Sequence, residues 1–138
     1  MGPSSGSIRV SGKYLLDTNV AVAVLNGALD LSTHRASGTE LYLPAIVAGE
    51  LCFGAEKSER VEQNLSAIDR LIARCPVIPC DATTARHYAR LRNRLRGKGR
   101  PIPENDLWIA ATAIEHGLVL VSRDEHFAQV EGLLVESW

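Results

Sequence analysis

The sequence predicts an α/β domain with a mostly parallel central sheet flanked by helices. Three observations carry this. Strand-like and helix-like segments alternate along the chain. The strand candidates "KYLL", "ELYLP", "PVIPC", "LVLVS" and "LLVES" are short and apolar on both faces, as strands covered by helices on either side must be. The length of 138 residues, with 46% apolar residues, suits one domain with a full core.

"MGPSSGSIRVSG" has no apolar stretch of the kind a secretion signal needs. It reads as a tag scar or extension, so residues 1–12 are expected to be disordered and the domain to span 13–138. "KYLL" is the first strand. "DTNVAVAVLNG" opens a helix that Asp17, Thr18 or Asn19 can cap and Gly27 can end. "LDLSTHRAS" predicts a second, short helix. After the strand "ELYLP", Pro44 suits a first helical turn, and "AIVAGELCFGA" carries an apolar face from Ile46 through Phe53. In "SERVEQNLSAIDRLIAR", Val61, Leu65, Ile68, Leu71 and Ile72 share one face, and Ser58 with Glu62 resembles helix-start chemistry. "PVIPC" reads as a short buried strand. In "DATTARHYARLRNRLRGKG", Asp81 is a plausible cap and Ala85, Tyr88, Leu91 and Leu95 form the expected stripe. "ENDLWIAATAIEHG" predicts a buried helix closed by Gly117, leading into the strand "LVLVS" and, after "RDEHFAQVEG", the last strand "LLVES".

Composition excludes several classes. No run of about 18 apolar residues exists, so no membrane-spanning helix is expected. Three cysteines, Cys52, Cys75 and Cys80, without a CxxC pair fit neither a disulfide framework nor a zinc site. They suggest a reducing, cytoplasmic compartment, with Cys52 a small core residue. The net charge is −1, yet "RHYARLRNRLRGKGR" is basic throughout. Arg86, Arg90 and Arg94 line one face at i, i+4 and i+8. Such a stretch is either a solvated helix face or a polyanion-binding one.

The carboxylates are more telling. Asp17 follows the first strand and Asp124 follows "LVLVS". In an open parallel sheet, ligands gather outside the carboxyl ends of the strands. Asp106 belongs to the first turn of a helix that starts on that edge. Glu50 lies one to two turns into another such helix, among apolar neighbours. Its positions three and four residues away are Ile46, Val47, Phe53 and Gly54, none of them a cation, and a buried charge without a partner is costly. Taken one at a time, Asp17, Asp106 and Asp124 could each be a cap or a turn residue. Together with Glu50 they would repel one another, which raises pKa values or requires a cation. No histidine or cysteine stands with them at ligand spacing, so an all-oxygen site for Mg²⁺ or Mn²⁺ is expected rather than zinc. His126 and Trp108 read as structural, and Phe53 and Leu51 as core residues.

From "YLLDTNV" through "LPAIVAGELCFGA" to "PIPENDLWIAATAIEHGLVLVSRDEHF", the chain resembles the PIN-domain ribonuclease toxins of the VapC type. The resemblance covers nearly all of the chain after residue 12, with the motifs in order. It implies a PIN-like three-layer sandwich and a metal-dependent endoribonuclease acting as the toxin of a toxin–antitoxin pair. Asp17, Glu50, Asp106 and Asp124 would form the catalytic Mg²⁺ or Mn²⁺ site, with Asp17 and Asp106 as direct ligands. Thr18, Asn19, Asn105 and Ser122 match supporting positions. The implied reaction is in-line hydrolysis by a metal-activated water. The resemblance also implies a homodimer and a VapB-like antitoxin that inserts a helix into a hydrophobic groove. That antitoxin would present a basic side chain to the acids and carry any contact with operator DNA. Under this reading Arg86, Arg90, Arg94, Arg96, Lys98 and Arg100 are candidates for RNA phosphate contact. The alternative is a catalytically silent RNA-binding or scaffold domain of the same fold. A haloacid-dehalogenase-type phosphatase would need a second aspartate two residues after the first, where "DTNV" has Asn19. A receiver domain would need an acidic pair and a late lysine that are missing.

Overall fold

The computed structural model of the chain describes residues 12–99 and 101–138. The expected extension therefore lies outside the described residues apart from Gly12, and so does Arg100. Among the described residues five strands, β1 (Lys13–Leu16), β2 (Glu40–Pro44), β3 (Val77–Ile78), β4 (Val119–Val121) and β5 (Val135–Glu136), form one parallel sheet in the order β3-β2-β1-β4-β5. Five helices flank it in a three-layer α/β sandwich: α1 (Thr18–Leu25), α2 (Ala45–Glu56), α3 (Val61–Arg74), α4 (Ala82–Arg96) and α5 (Glu104–His116). Among the described residues no helix is long and apolar enough to cross a membrane.

The strand order creates the place for a site. The chain builds β1, β2 and β3 outward in one direction, then crosses to β4 and β5 on the other side of β1. The β1–β4 seam is thus the point where connections diverge, and a crevice opens there at the strands' carboxyl ends. Register brings Leu16 opposite Val121, and the Asp17 N–H donates to the Val121 carbonyl at 3.0 Å. Leu15, Leu16, Leu120 and Val121 are fully buried. Each such side chain contributes about 1.5–3 kcal/mol of burial. Together they anchor both strand ends, so the residues just beyond them inherit fixed positions.

Most predicted elements stand where expected, with instructive departures. "LDLSTHRAS" forms one 3₁₀ turn, Leu31–His34, capped by Asp30, rather than an α-helix. A second 3₁₀ turn covers Glu125–Gln129. Ser58 does not start α3: its hydroxyl donates to the Ala55 carbonyl and accepts from the Asn64 side chain, so it closes α2. In α4, Asp81 caps as expected, in a reciprocal capping box with Thr84. The stripe, however, runs through buried Thr84, Leu91 and Leu95, while Ala85 is exposed. Thr84 can turn inward because its hydroxyl donates to Glu115 at 2.6 Å. The buried face of α2 is Val47, Leu51 and Ala55, which leaves Phe53 on the opposite side and 65% exposed. Phe53 is therefore not a core residue, whereas Leu51 is. The strand β3 is only half-buried and two residues long. Cys75 is buried, Cys52 half-buried and Cys80 exposed.

Candidate active site

Asp17 directly follows β1 and caps α1. One carboxylate oxygen accepts from the Thr18 N–H at 2.8 Å, and the other from the Ser122 hydroxyl at 2.7 Å. Only 4% of the residue is exposed. Burial is the main cause holding its carboxyl above the usual aspartate range, opposed by the bonds from Ser122 and Thr18 and reinforced by the negative charges of Asp124 and Glu50. The charges acting on this buried acid are thus of its own sign.

Ser122 is the hinge of the arrangement. It directly follows β4, is buried, and its oxygen accepts from the Asp124 N–H at 3.0 Å while its proton goes to Asp17. Asp124 in turn caps the second 3₁₀ turn through the His126 N–H at 2.9 Å. Asp106 stands in the first turn of α5, where the helix dipole favours negative charge. Burial again raises its pKa first, the bond from His126 lowers it, and Asp17 and Asp124 raise it. Glu50 reaches the group from α2: its carboxylate accepts from the Thr18 hydroxyl at 2.7 Å. It is half-buried, and Thr18 is the partner that its apolar neighbours do not provide.

The four predicted acids are therefore brought to one edge, but not equally close. Among the described residues, the tight group is Asp106, Asp124 and His126, with one potential ligand atom from each, all within 4.8 Å of one another. Asp17 joins it through Ser122, and Glu50 joins Asp17 through Thr18. Thr18 and Ser122 thus tie Asp17, Glu50 and Asp124 together, while Asp106 is joined through His126. Asn19 and Asn105 are exposed, and among the described residues no hydrogen bond ties either to the acids. The expectation that no histidine accompanies the acids is corrected. His126 Nδ1 lies 3.1 Å from Asp106 and 2.9 Å from Asp124. These carboxylates, chiefly the Asp106 hydrogen bond, raise its pKa. The sequence signal was its position two residues past Asp124 in "DEHF", next to Phe127, which is fully buried and anchors the turn.

Trp108 packs face to face with Tyr88, ring centroids 4.0 Å apart, so it joins α5 to α4 as a packing residue. Arg86, Arg90, Arg94 and Arg96 are exposed, and Lys98 pairs with Glu131 at 3.1 Å. The end of α4 and the start of α5, with Arg92, Arg96 and Glu104, border an open cleft of about 380 Å³. An apolar groove of about 360 Å³ runs between α1, α2 and α3, lined by Val22, Leu25, Leu51 and Ile68, with Thr18 and Glu50 also on its wall.

The donor set suits a hard divalent cation: mutually repelling carboxylates, one of them deeply buried, with hydrogen bonds orienting their oxygens. Fold and site together define an α/β domain with an acidic centre at its topological switch point. The PIN-domain family model matches residues 14–133. The chain is 35% identical to ribonuclease VapC2 of Haemophilus influenzae over 129 residues, spanning 91% of this chain and 98% of that protein. It is 32% identical to the tRNA(fMet)-specific endonuclease VapC of Shigella flexneri, with the same coverage. In structure it matches VapBC2 from Rickettsia felis, solved bound to a promoter DNA fragment, with a TM-score of 0.84 and 34% identity over 91% of this chain and 98% of that one. The chain belongs to the PIN-domain family, in its VapC ribonuclease branch.

Proposed function

We propose that this protein is the endoribonuclease toxin of a cytoplasmic toxin–antitoxin pair, hydrolysing RNA phosphodiester bonds at a Mg²⁺ or Mn²⁺ site built from Asp17, Glu50, Asp106 and Asp124. The observation that carries it is the convergence of these acids at the β1–β4 seam, three of them linked through Ser122 and Thr18. A divalent ion bound there would activate water and offset charge on the scissile phosphate. The chain's own residues do the rest. Ser122 keeps Asp17 and Asp124 at a fixed separation. Thr18 aims Glu50 toward the same edge, where it can ligate or orient water. Asp106, at a helix start, keeps its carboxylate directed into the crevice. Preset donors of this kind need little rearrangement during reaction. Arg86, Arg90, Arg94, Arg96 and Lys98 would supply a cationic face for RNA phosphates, and Arg100, outside the described residues, stays a candidate by sequence alone.

The VapBC complexes among the structural relatives support a VapB-like antitoxin as partner. The apolar groove with Glu50 on its wall suits an amphipathic helix followed by a basic side chain. Operator DNA would be contacted through that antitoxin, and the toxin would work as a homodimer. The test is RNA cleavage by the purified, antitoxin-free protein with Mg²⁺ or Mn²⁺, beside an EDTA control. Cleavage lost on chelation is the expected outcome. Survival of both tRNA and ribosomal RNA with folded, metal-loaded protein would overturn the nuclease reading.

A further inference from the structure

The imidazole of His126 is placed unlike a space-filling side chain. Its Nδ1 meets two carboxylates from different elements, Asp124 Oδ1 at 2.9 Å and Asp106 Oδ2 at 3.1 Å. An ion with octahedral bonds of about 2.1 Å sets neighbouring donor atoms about 3 Å apart, since the edge of an octahedron is √2 times the bond length. The nitrogen already stands at that spacing from both acids. Its position is held from two sides: the His126 N–H is bonded to Asp124, and buried Phe127 pins the next residue. The side chain is still 43% exposed, so an ion can reach it from solvent.

We propose that His126 is a direct nitrogen ligand of the divalent ion, adding one imidazole to the carboxylate site on the side of Asp106 and Asp124. The inference rests on the metal site proposed above and refines it. One nitrogen among oxygens shifts preference along the divalent series, away from Mg²⁺ and toward Mn²⁺ and later metals. Without an ion, the same nitrogen lies within hydrogen-bond distance of both acids.

The experiment is pulsed electron paramagnetic resonance of the full chain loaded with Mn²⁺. The expected result is a ¹⁴N modulation of the imidazole type on bound Mn²⁺. It should change to the ¹⁵N pattern when histidine is ¹⁵N-labelled, and it should vanish in His126→Ala. Mn²⁺ affinity in that variant should fall by at least the roughly tenfold that loss of even an outer partner of a metal ligand costs, with a smaller change for Mg²⁺. His126→Gln gives the same comparison with a side chain of similar reach should the alanine variant fail to fold. Bound Mn²⁺ without imidazole coupling, or coupling that persists without His126, would overturn the inference and leave the carboxylate site intact. Failure of the wild-type chain to bind Mn²⁺ at all would overturn both.

Discussion

The acidic edge and the basic helix α4 each gather charges of one sign and hold them in opposite ways. At the edge, Asp17 is buried, fixed by a hydroxyl and a backbone N–H, and surrounded by charge of its own sign. Along α4, Arg86, Arg90 and Arg94 stand in solvent. Buried like charges are expensive and demand a counter-ion. Exposed like charges are screened within about 10 Å at 0.1 M salt and cost little. The first arrangement suits a site that binds one small cation in a set geometry. The second suits a polyanion whose position is not yet set. Local stability alone would not favour the acidic edge, which points to function as its reason for being there.

The largest effect is expected from Asp17→Asn at the acidic edge. Asparagine still caps a helix well, and it removes a buried charge. RNA cleavage should fall by more than the roughly 100-fold that loss of a mere outer partner of a metal ligand can cost, while the thermal midpoint of metal-free protein holds or rises. Because folding raises the Asp17 pKa, the native state binds its proton more readily than the unfolded chain. Its contribution therefore favours folding at low pH and is lost as pH rises through the raised value. The variant should lack this component. Equal loss of stability and activity would mean the carboxylate was structural.

Ser122→Ala tests the hinge. It removes the hydroxyl between Asp17 and Asp124 without enlarging anything. Urea unfolding should show a loss of about 1–3 kcal/mol, because a buried carboxylate loses a hydrogen bond. Divalent-ion affinity should weaken in the same variant. An unchanged affinity would show that the acids hold their places without Ser122.

Charge reversal at Arg94, Arg96 and Lys98 examines the other pole. RNA affinity should drop, and the salt dependence should flatten by roughly one unit of log–log slope for each phosphate that is no longer neutralised. The thermal midpoint should stay in place, since the Lys98–Glu131 pair is exposed. If RNA cleavage and antitoxin affinity both stay unchanged, the face is only a solvated one.

The smallest effect is expected at Asp81. Its capping bonds, first that from the Thr84 N–H, hold its carboxyl below the usual range. Its stabilising contribution is present above the unfolded carboxylate value and fades as pH falls through the lowered folded one. The gap in urea midpoint between wild type and Asp81→Ala should therefore be full at neutral pH and close on acidification. A gap that persists unchanged in acid would assign the effect to packing.

Much of the fold was legible because strand-end and helix-start signals are local. "YLLD" and "LVLVS" announce buried strands with a polar exit, and Asp81, Gly27 and Gly117 mark helix ends through their own chemistry. Glu50 was conspicuous because its local neighbours offered no partner. The misplacements were of the opposite kind. Ala85 and Thr84 exchange roles because Thr84 finds Glu115, 31 residues away, and Phe53 is exposed because the inward row of α2 runs one step aside. No local rule contains either fact.

Periodicity and chain order alone dictate an alternating α/β domain with acids at strand ends, since each rests on interactions within a few residues. The sheet order β3-β2-β1-β4-β5 is what sets β4 against β1. Only that pairing joins Ser122 to Asp17 across 105 residues, and only the docking of α5 beside the turn after β4 sets the His126 nitrogen between Asp106 and Asp124. These are meetings of distant segments driven by burial of the core, which is non-directional along the chain and becomes specific only when the whole packs together.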